Sequence, residues 1–116
     1  MSEVNFEQLS EPEQIVYAWL TIHNVEFRMQ AKLLGGFLEA GGQVADFLLD
    51  SLGLAIRVMG VYWHEQQGID AQYRDRMGKI NLMGLGYMVV DVWEDKLKDN
   101  ADYVLERALQ GEELPR

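Results

Sequence analysis

The chain has 116 residues, and 19 acidic against 10 basic side chains give it a formal charge of −9 at pH 7. The absence of cysteine excludes disulfide scaffolds, thiolate zinc sites and cysteine nucleophiles. The charge argues against a protein that coats nucleic acid or an anionic membrane by bulk attraction. The length and an apolar content of 48% fit a single domain over residues 1–116 with acidic termini.

The first predicted element is a helix. Ser10 can cap it, Pro12 suits its first turn, and Glu13 stands where it could close a capping box. Apolar residues then recur at helical spacing to about His23.

Three strands are predicted next. Residues 25–30 alternate between apolar and polar side chains, and the glycine-rich residues 34–42 predict a connection. The apolar runs 44–49 and 54–58 predict a hairpin whose two strands are central in a sheet.

The rest of the chain predicts a helix over residues 69–85, a buried strand over 87–93 and a closing helix over 101–109. The order α-β-β-β-α-β-α predicts a mixed-sheet α/β domain with helices on both faces. In the helix over 69–85, Arg74, Arg76 and Lys79 lie mostly off an apolar stripe that consists of Tyr73, Met77, Ile80, Met83 and Gly84.

Two residues are candidates for chemistry. Asp46 lies within an apolar strand, where an acid is costly to bury unless it is paired, hydrogen-bonded or bound to metal; the alternative is an edge-strand Asp that faces solvent or caps a turn. His64 follows the hairpin and is a candidate general base, proton shuttle or metal-water ligand, or else a surface histidine.

Other side chains are candidates for DNA contacts. Tyr62 and Trp63 are adjacent aromatics that could stack on bases, although a random pair of this kind more often belongs to the core. Arg74, Arg76 and Lys79 form a local basic face that could contact a few phosphates, although most such clusters are solvated faces.

These motifs together resemble the very-short-patch mismatch repair endonucleases and the small bacterial and phage domains related to them, within the PD-(D/E)xK nuclease superfamily. The resemblance covers roughly residues 10–110 and implies a restriction-endonuclease-like fold. The motifs that carry it are, in order, Ala45-Asp46-Phe47, Gly60-Val61-Tyr62-Trp63-His64, Arg74-Asp75-Arg76, Leu85-Gly86-Tyr87 and Val92-Trp93-Glu94.

The resemblance implies a site for Mg²⁺ or Mn²⁺. Asp46 matches the metal-binding aspartate, Glu13 a helical glutamate that organises the metal waters, and the carbonyl of Val58 a main-chain ligand. His64 matches a histidine at the scissile phosphate. A hard cation with oxygen ligands would stabilise the phosphate and lower the pKa of the attacking water.

The resemblance also implies a DNA surface. Tyr62 and Trp63 match aromatics that enter the duplex beside the target, and Arg74 and Arg76 match a basic helix near the DNA. Lys79 adds a cation to that helix.

The chain departs from the family at two positions in the second hairpin strand. Arg57 stands where related domains usually carry an acid, and Met59 where the repair enzymes carry a catalytic histidine. No lysine follows two residues after an acid in that strand. Arg57 could replace the lysine as a phosphate clamp, but it cannot act as a base or a metal ligand.

We therefore expect a metal-dependent DNA endonuclease or nickase that acts in repair, recombination or phage and mobile-element DNA processing. The alternative keeps the fold without the reaction, as a DNA-binding or phage assembly subunit. A double-strand cutter would favour a homodimer, a nickase could act alone, and an assembly subunit would bind a protein partner. With no long apolar stretch, we expect no membrane association and a cytoplasmic location.

Overall fold

A computed structural model describes residues 6–32, 44–60 and 69–114. Short 3-10 turns occupy Phe6–Gln8 and Asp50–Leu52. The helices and strands of this part are α1 Glu11–Ile22, β1 Arg28–Lys32, β2 Val44–Leu49, β3 Leu54–Met59, α2 Ile69–Gly84, β4 Met88–Trp93 and α3 Glu94–Leu109.

The four strands form one mixed sheet in the order β1-β2-β3-β4. Neighbours β1, β2 and β3 are antiparallel, whereas β4 is parallel to β3. A parallel pair needs a crossover connection, and α2 lies on that connection. The predicted hairpin is confirmed, and both of its strands are central.

Helix α1 begins where the sequence predicts. The Ser10 hydroxyl accepts a hydrogen bond from Glu13 N at 3.4 Å, and Glu13 Oε1 accepts one from Ser10 N at 2.8 Å. This reciprocal pair is a capping box, and Pro12 stands in the first turn. The helix ends at Ile22, and Asn24 takes a left-handed φ of 56° just beyond it.

The core lies mainly on one face of the sheet, between the strands and helices α1 and α3. Trp19 Nε1 donates to the Asp102 carboxylate at 2.7 Å and links these two helices. The other face carries a smaller cluster of Leu48, Ala55 and Leu82, the last of which comes from α2. Helices on both faces are therefore confirmed. The buried side chains of the main core are Val16, Trp19, Leu20, Phe47, Leu49, Leu54, Ile56, Val58, Val90, Val92, Leu97, Val104, Leu105 and Ala108.

Helix α2 leaves exposed those apolar side chains of its predicted stripe that the structure describes. Met77, Ile80 and Met83 are 36%, 49% and 56% exposed, whereas Leu82 is 4% exposed. Lys79 is half-buried on the side of α2 that approaches β4.

Two other boundaries differ from prediction. Residues 25–27 precede β1 rather than belong to it. Helix α3 begins at Glu94, seven residues early, because residues 94–100 form a polar helical segment in which Leu97 is the buried apolar residue. Asn100 breaks the helix with φ −157°, and its side chain accepts a hydrogen bond from Tyr103 N at 3.1 Å. The predicted helix over 101–109 is thus the second half of α3.

No helix in the described ranges is both long enough and apolar enough to span a bilayer.

Candidate functional site

A row of polar residues crosses the sheet at one register position. Gln30 of β1 is paired with Asp46 of β2, Asp46 with Arg57 of β3, and Arg57 with Asp91 of β4. Directly opposed residues on neighbouring strands are the closest cross-strand contacts in a sheet. The described residues on either side of the row in β2, β3 and β4 are mostly aliphatic or aromatic, so this row places charged residues within otherwise apolar strands.

Arg57 and Asp91 form a bidentate ion pair within this row. Arg57 Nε donates to Asp91 Oδ1 at 2.7 Å, and Nη2 donates to Oδ2 at 3.2 Å. Nη2 also lies 3.7 Å from the sulfur of Met59. The Arg57 side chain is 1% exposed and that of Asp91 is 13% exposed. A charge at such depth requires a paired, hydrogen-bonded partner, which Asp91 supplies.

Two further charges surround Asp91. Lys79 of α2 places its Nζ 3.8 Å from Asp91 Oδ2 and 3.9 Å from Glu113 Oε1. Glu113 also accepts a hydrogen bond from the backbone N–H of Asp91 at 2.7 Å. The row is therefore extended by Lys79 of α2 and by Glu113 of the segment after α3, which both contact Asp91 of β4.

Asp91 and Glu113 were not among the residues singled out from the sequence. A signal for Asp91 exists, because it interrupts the valines of an apolar strand as Asp46 does. Glu113 carries no such signal, since it lies in an acidic stretch where one carboxylate resembles the next.

Two of the predicted metal ligands, Glu13 and Val58, lie among residues whose side chains are described. Glu13 is 2% exposed and holds the first turn of α1 through the capping box, on the main-core side of the sheet. Arg57 and Asp91 meet Lys79 of α2 on the other side. The side chain of Val58 belongs to the main core, in a strand between two neighbours.

The described side chains contain no cluster of three His, Asp or Glu that could hold a metal ion. Asp46 is placed by its backbone alone, and its side chain lies outside the described part. His64, Tyr62 and Trp63 lie outside the described residues altogether. The metal set predicted from the sequence therefore stays a prediction.

The segment with those three residues is bounded by Gly60 and Ile69. In the sheet register, Met59 is paired with Trp93, so this segment leaves β3 at the carboxyl ends of the two parallel strands. Ligand sites of open α/β sheets lie at this end of parallel strands.

The predicted DNA-contacting cations also differ in setting. Arg76 is exposed on α2, whereas Lys79 is turned toward Asp91 and Glu113. Arg74 is placed in α2 by its backbone, and its side chain is not described. Arg57, the fourth of them, is buried against Asp91 rather than presented at the surface.

A second polar cluster lies at the opposite end of the sheet. Arg28 Nε donates to Asp50 Oδ2 at 2.6 Å and its Nη2 to the Tyr87 hydroxyl at 2.9 Å, while that hydroxyl donates to Asp50 Oδ1. The hydrogen bond from Arg28 lowers the pKa of Asp50, and the hydrogen bond to Asp50 raises the pKa of Tyr87. Arg28 and Asp50 also line an open cleft of about 560 Å³, and Arg57 and Asp91 of the polar row do not line it. We place the candidate site at the row, because Arg28 and Asp50 are 62% and 52% exposed, whereas Arg57 and Asp91 are largely buried.

Searches with protein-family models, among curated proteins and among solved structures found no match for this chain.

Proposed function

We propose that this protein is a metal-dependent DNA endonuclease or nickase with a restriction-endonuclease-like fold. Its reaction centre is the row of Asp46, Arg57 and Asp91, together with the segment that contains His64. The observation that carries the proposal is the buried Arg57–Asp91 pair in register with Asp46. The mixed sheet with helices on both faces is compatible with the fold that the sequence resemblance implies.

The burial of this pair favours function over packing. Apolar residues of similar volume often serve stability as well as a buried ion pair does. Charged residues buried between neighbouring strands, near the carboxyl ends of parallel strands, are candidates for a functional site. Asp46 occupies the next position in the same row and matches the metal-binding aspartate of the resembled family.

In this proposal Asp46 would hold Mg²⁺ or Mn²⁺ through its carboxylate, and His64 would transfer a proton. The cation would stabilise charge on the scissile phosphate and lower the pKa of an attacking water. Arg57 fixes the carboxylate of Asp91 through two hydrogen bonds. Glu13 holds the first turn of α1, so its replacement would perturb folding together with any effect on activity.

The test is cleavage of supercoiled plasmid and of branched DNA, with Mg²⁺ or with Mn²⁺. Asp46→Ala is compared with the wild type and with Asp99→Ala, which removes an equal charge at an exposed position of α3. We expect cleavage by the wild type and Asp99→Ala, and a loss of at least about 100-fold in Asp46→Ala. Circular dichroism establishes that the variants are folded. Equal cleavage by all three proteins would indicate a contaminating nuclease, and no cleavage with either metal would refute the reaction.

One observation favours a second function, a nuclease-fold protein that binds DNA or assembles with a phage protein without catalysis. Arg57 stands where related domains usually carry an acid, and its two hydrogen bonds to Asp91 place a cation in the row. A guanidinium there competes with a metal ion for the neighbouring carboxylates. Wild-type protein that binds DNA without cleaving it under any metal condition would support this second function.

A further inference from the structure

Strand β4 is an edge strand of the sheet that the described residues form. Alternate backbone N–H groups of an edge strand point away from the sheet and need other partners. Met88 N donates inward, to the carbonyl of Gly53, so Asp91 N, three residues on, points outward. Glu113 Oε1 accepts the hydrogen bond from Asp91 N at 2.7 Å.

The same carboxylate oxygen has a second neighbour, and this one is a cation. Lys79 Nζ lies 3.9 Å from Glu113 Oε1, so a backbone N–H and an ammonium group converge on one anionic oxygen. Phosphate oxygens of DNA are bound by this combination of donors, a main-chain amide and a lysine. Glu113 is 42% exposed and follows Gly111, whose φ of 80° turns the chain after α3.

We propose that Asp91 N–H and the Lys79 ammonium form a subsite for a DNA backbone phosphate, and that Glu113 occupies this subsite in the free protein. This inference rests on the proposed action on DNA. It places one backbone phosphate of the DNA beside the proposed reaction centre. The carboxylate of Asp91 is also near Lys79, at 3.8 Å, but Arg57 offsets its charge through two hydrogen bonds. Glu113 is thus an internal competitor that limits affinity until DNA displaces it.

The test measures binding of a fluorescein-labelled DNA duplex by anisotropy, at low ionic strength and with EDTA present so that no cleavage occurs. Glu113→Gln is compared with Glu112→Gln, because both variants remove one negative charge from adjacent exposed positions. We expect Glu113→Gln to raise the affinity about five- to tenfold and Glu112→Gln to raise it less than about twofold.

A second comparison isolates the lysine. In the Glu113→Gln background, Lys79→Ala removes the gain, whereas Lys98→Ala removes an equal charge from α3 and preserves most of it. Thermal melts establish that each variant is folded.

Three results would overturn the inference. The first is equal affinity of the Glu113 and Glu112 variants, and the second is equal effects of Lys79→Ala and Lys98→Ala. The third is a Glu113→Gln protein that dimerises in sedimentation experiments without a gain in DNA affinity, since the uncovered edge would then pair with another strand. If the wild type cleaves DNA while any of these holds, the inference alone fails; absence of binding and of cleavage in every variant rejects the proposed function as well.

Discussion

Replacement of Asp91 by alanine should destabilise the domain strongly, because it leaves the Arg57 guanidinium without its bidentate carboxylate. Arg57 is 1% exposed, so water replaces the lost acceptor only in part. The exposed ion pair of Lys98 with Glu11 at 3.9 Å provides the contrast, because solvent screens it.

The magnitude follows from the depth of the pair. Removal of one partner from a buried ion pair costs about 3–5 kcal/mol. Because Asp91 is 13% exposed and Arg57 has other contacts, we expect about 2–4 kcal/mol for Asp91→Ala. That is a large share of a typical unfolding free energy of about 5–15 kcal/mol, and it corresponds to a fall in Tm of roughly 10–20 °C.

Urea unfolding followed by circular dichroism measures this effect. Asp99→Ala is the matched control and should change the unfolding free energy by less than about 0.5 kcal/mol. The double variant Arg57→Met with Asp91→Val should recover most of the loss, because apolar residues can replace a buried ion pair at little cost. The reasoning is refuted if Asp91→Ala matches Asp99→Ala, or if the double variant is less stable than Asp91→Ala.

Two further predictions concern packing and protonation. Leu82→Ala should cost about 2–4 kcal/mol in urea unfolding, and Ile80→Ala less than about 0.5 kcal/mol; the reverse order would mean that α2 packs by its other face. In a pH titration followed by NMR of the tyrosine rings, Tyr87 should titrate above its ordinary pKa, and Asp50→Asn should bring that pKa down, since the Asp50 carboxylate holds the phenol proton. The lowered pKa of Asp50 means that its contribution to stability is present above the ordinary pKa of Asp and is lost as the pH falls through the lowered value. A Tyr87 pKa unchanged by Asp50→Asn would contradict the hydrogen-bond assignment.

Local signals predicted the elements that depend on local interactions. The capping box of Ser10 and Glu13 needs only neighbours three residues apart, and the hairpin of β2 and β3 follows from two apolar runs around a short turn ending at Gly53, whose φ is 66°. Helix α2 was found at nearly its true length for the same reason. The first half of α3 was missed because its periodic apolar signal is almost absent.

Contacts between side chains that are far apart in the sequence could not be predicted from local patterns. Asp46 and Asp91 both interrupt apolar runs. The residue that offsets the cost of burying the Asp91 carboxylate is Arg57, which lies 34 residues earlier in the chain. The family resemblance suggested Arg57 as a phosphate clamp in place of the missing lysine, and no local pattern in the sequence marks Asp91 as its partner. The orientation of α2 was equally hidden, because Leu82 and the exposed stripe of Met77, Ile80 and Met83 are both apolar.

The structure also changes the meaning of the net charge of −9. Four of the ten basic side chains, Arg28, Arg57, Lys79 and Lys98, are paired with the chain's own carboxylates in the described part of the protein. DNA that approaches Lys79 would have to compete with the carboxylates of Asp91 and Glu113. The affinity for DNA would then depend less on the net charge of the protein than on which carboxylate a phosphate can displace from its cation. Glu113 is suited to yield, because it is 42% exposed and shares its ammonium partner with Asp91, whereas Asp91 is held by two hydrogen bonds from a buried guanidinium.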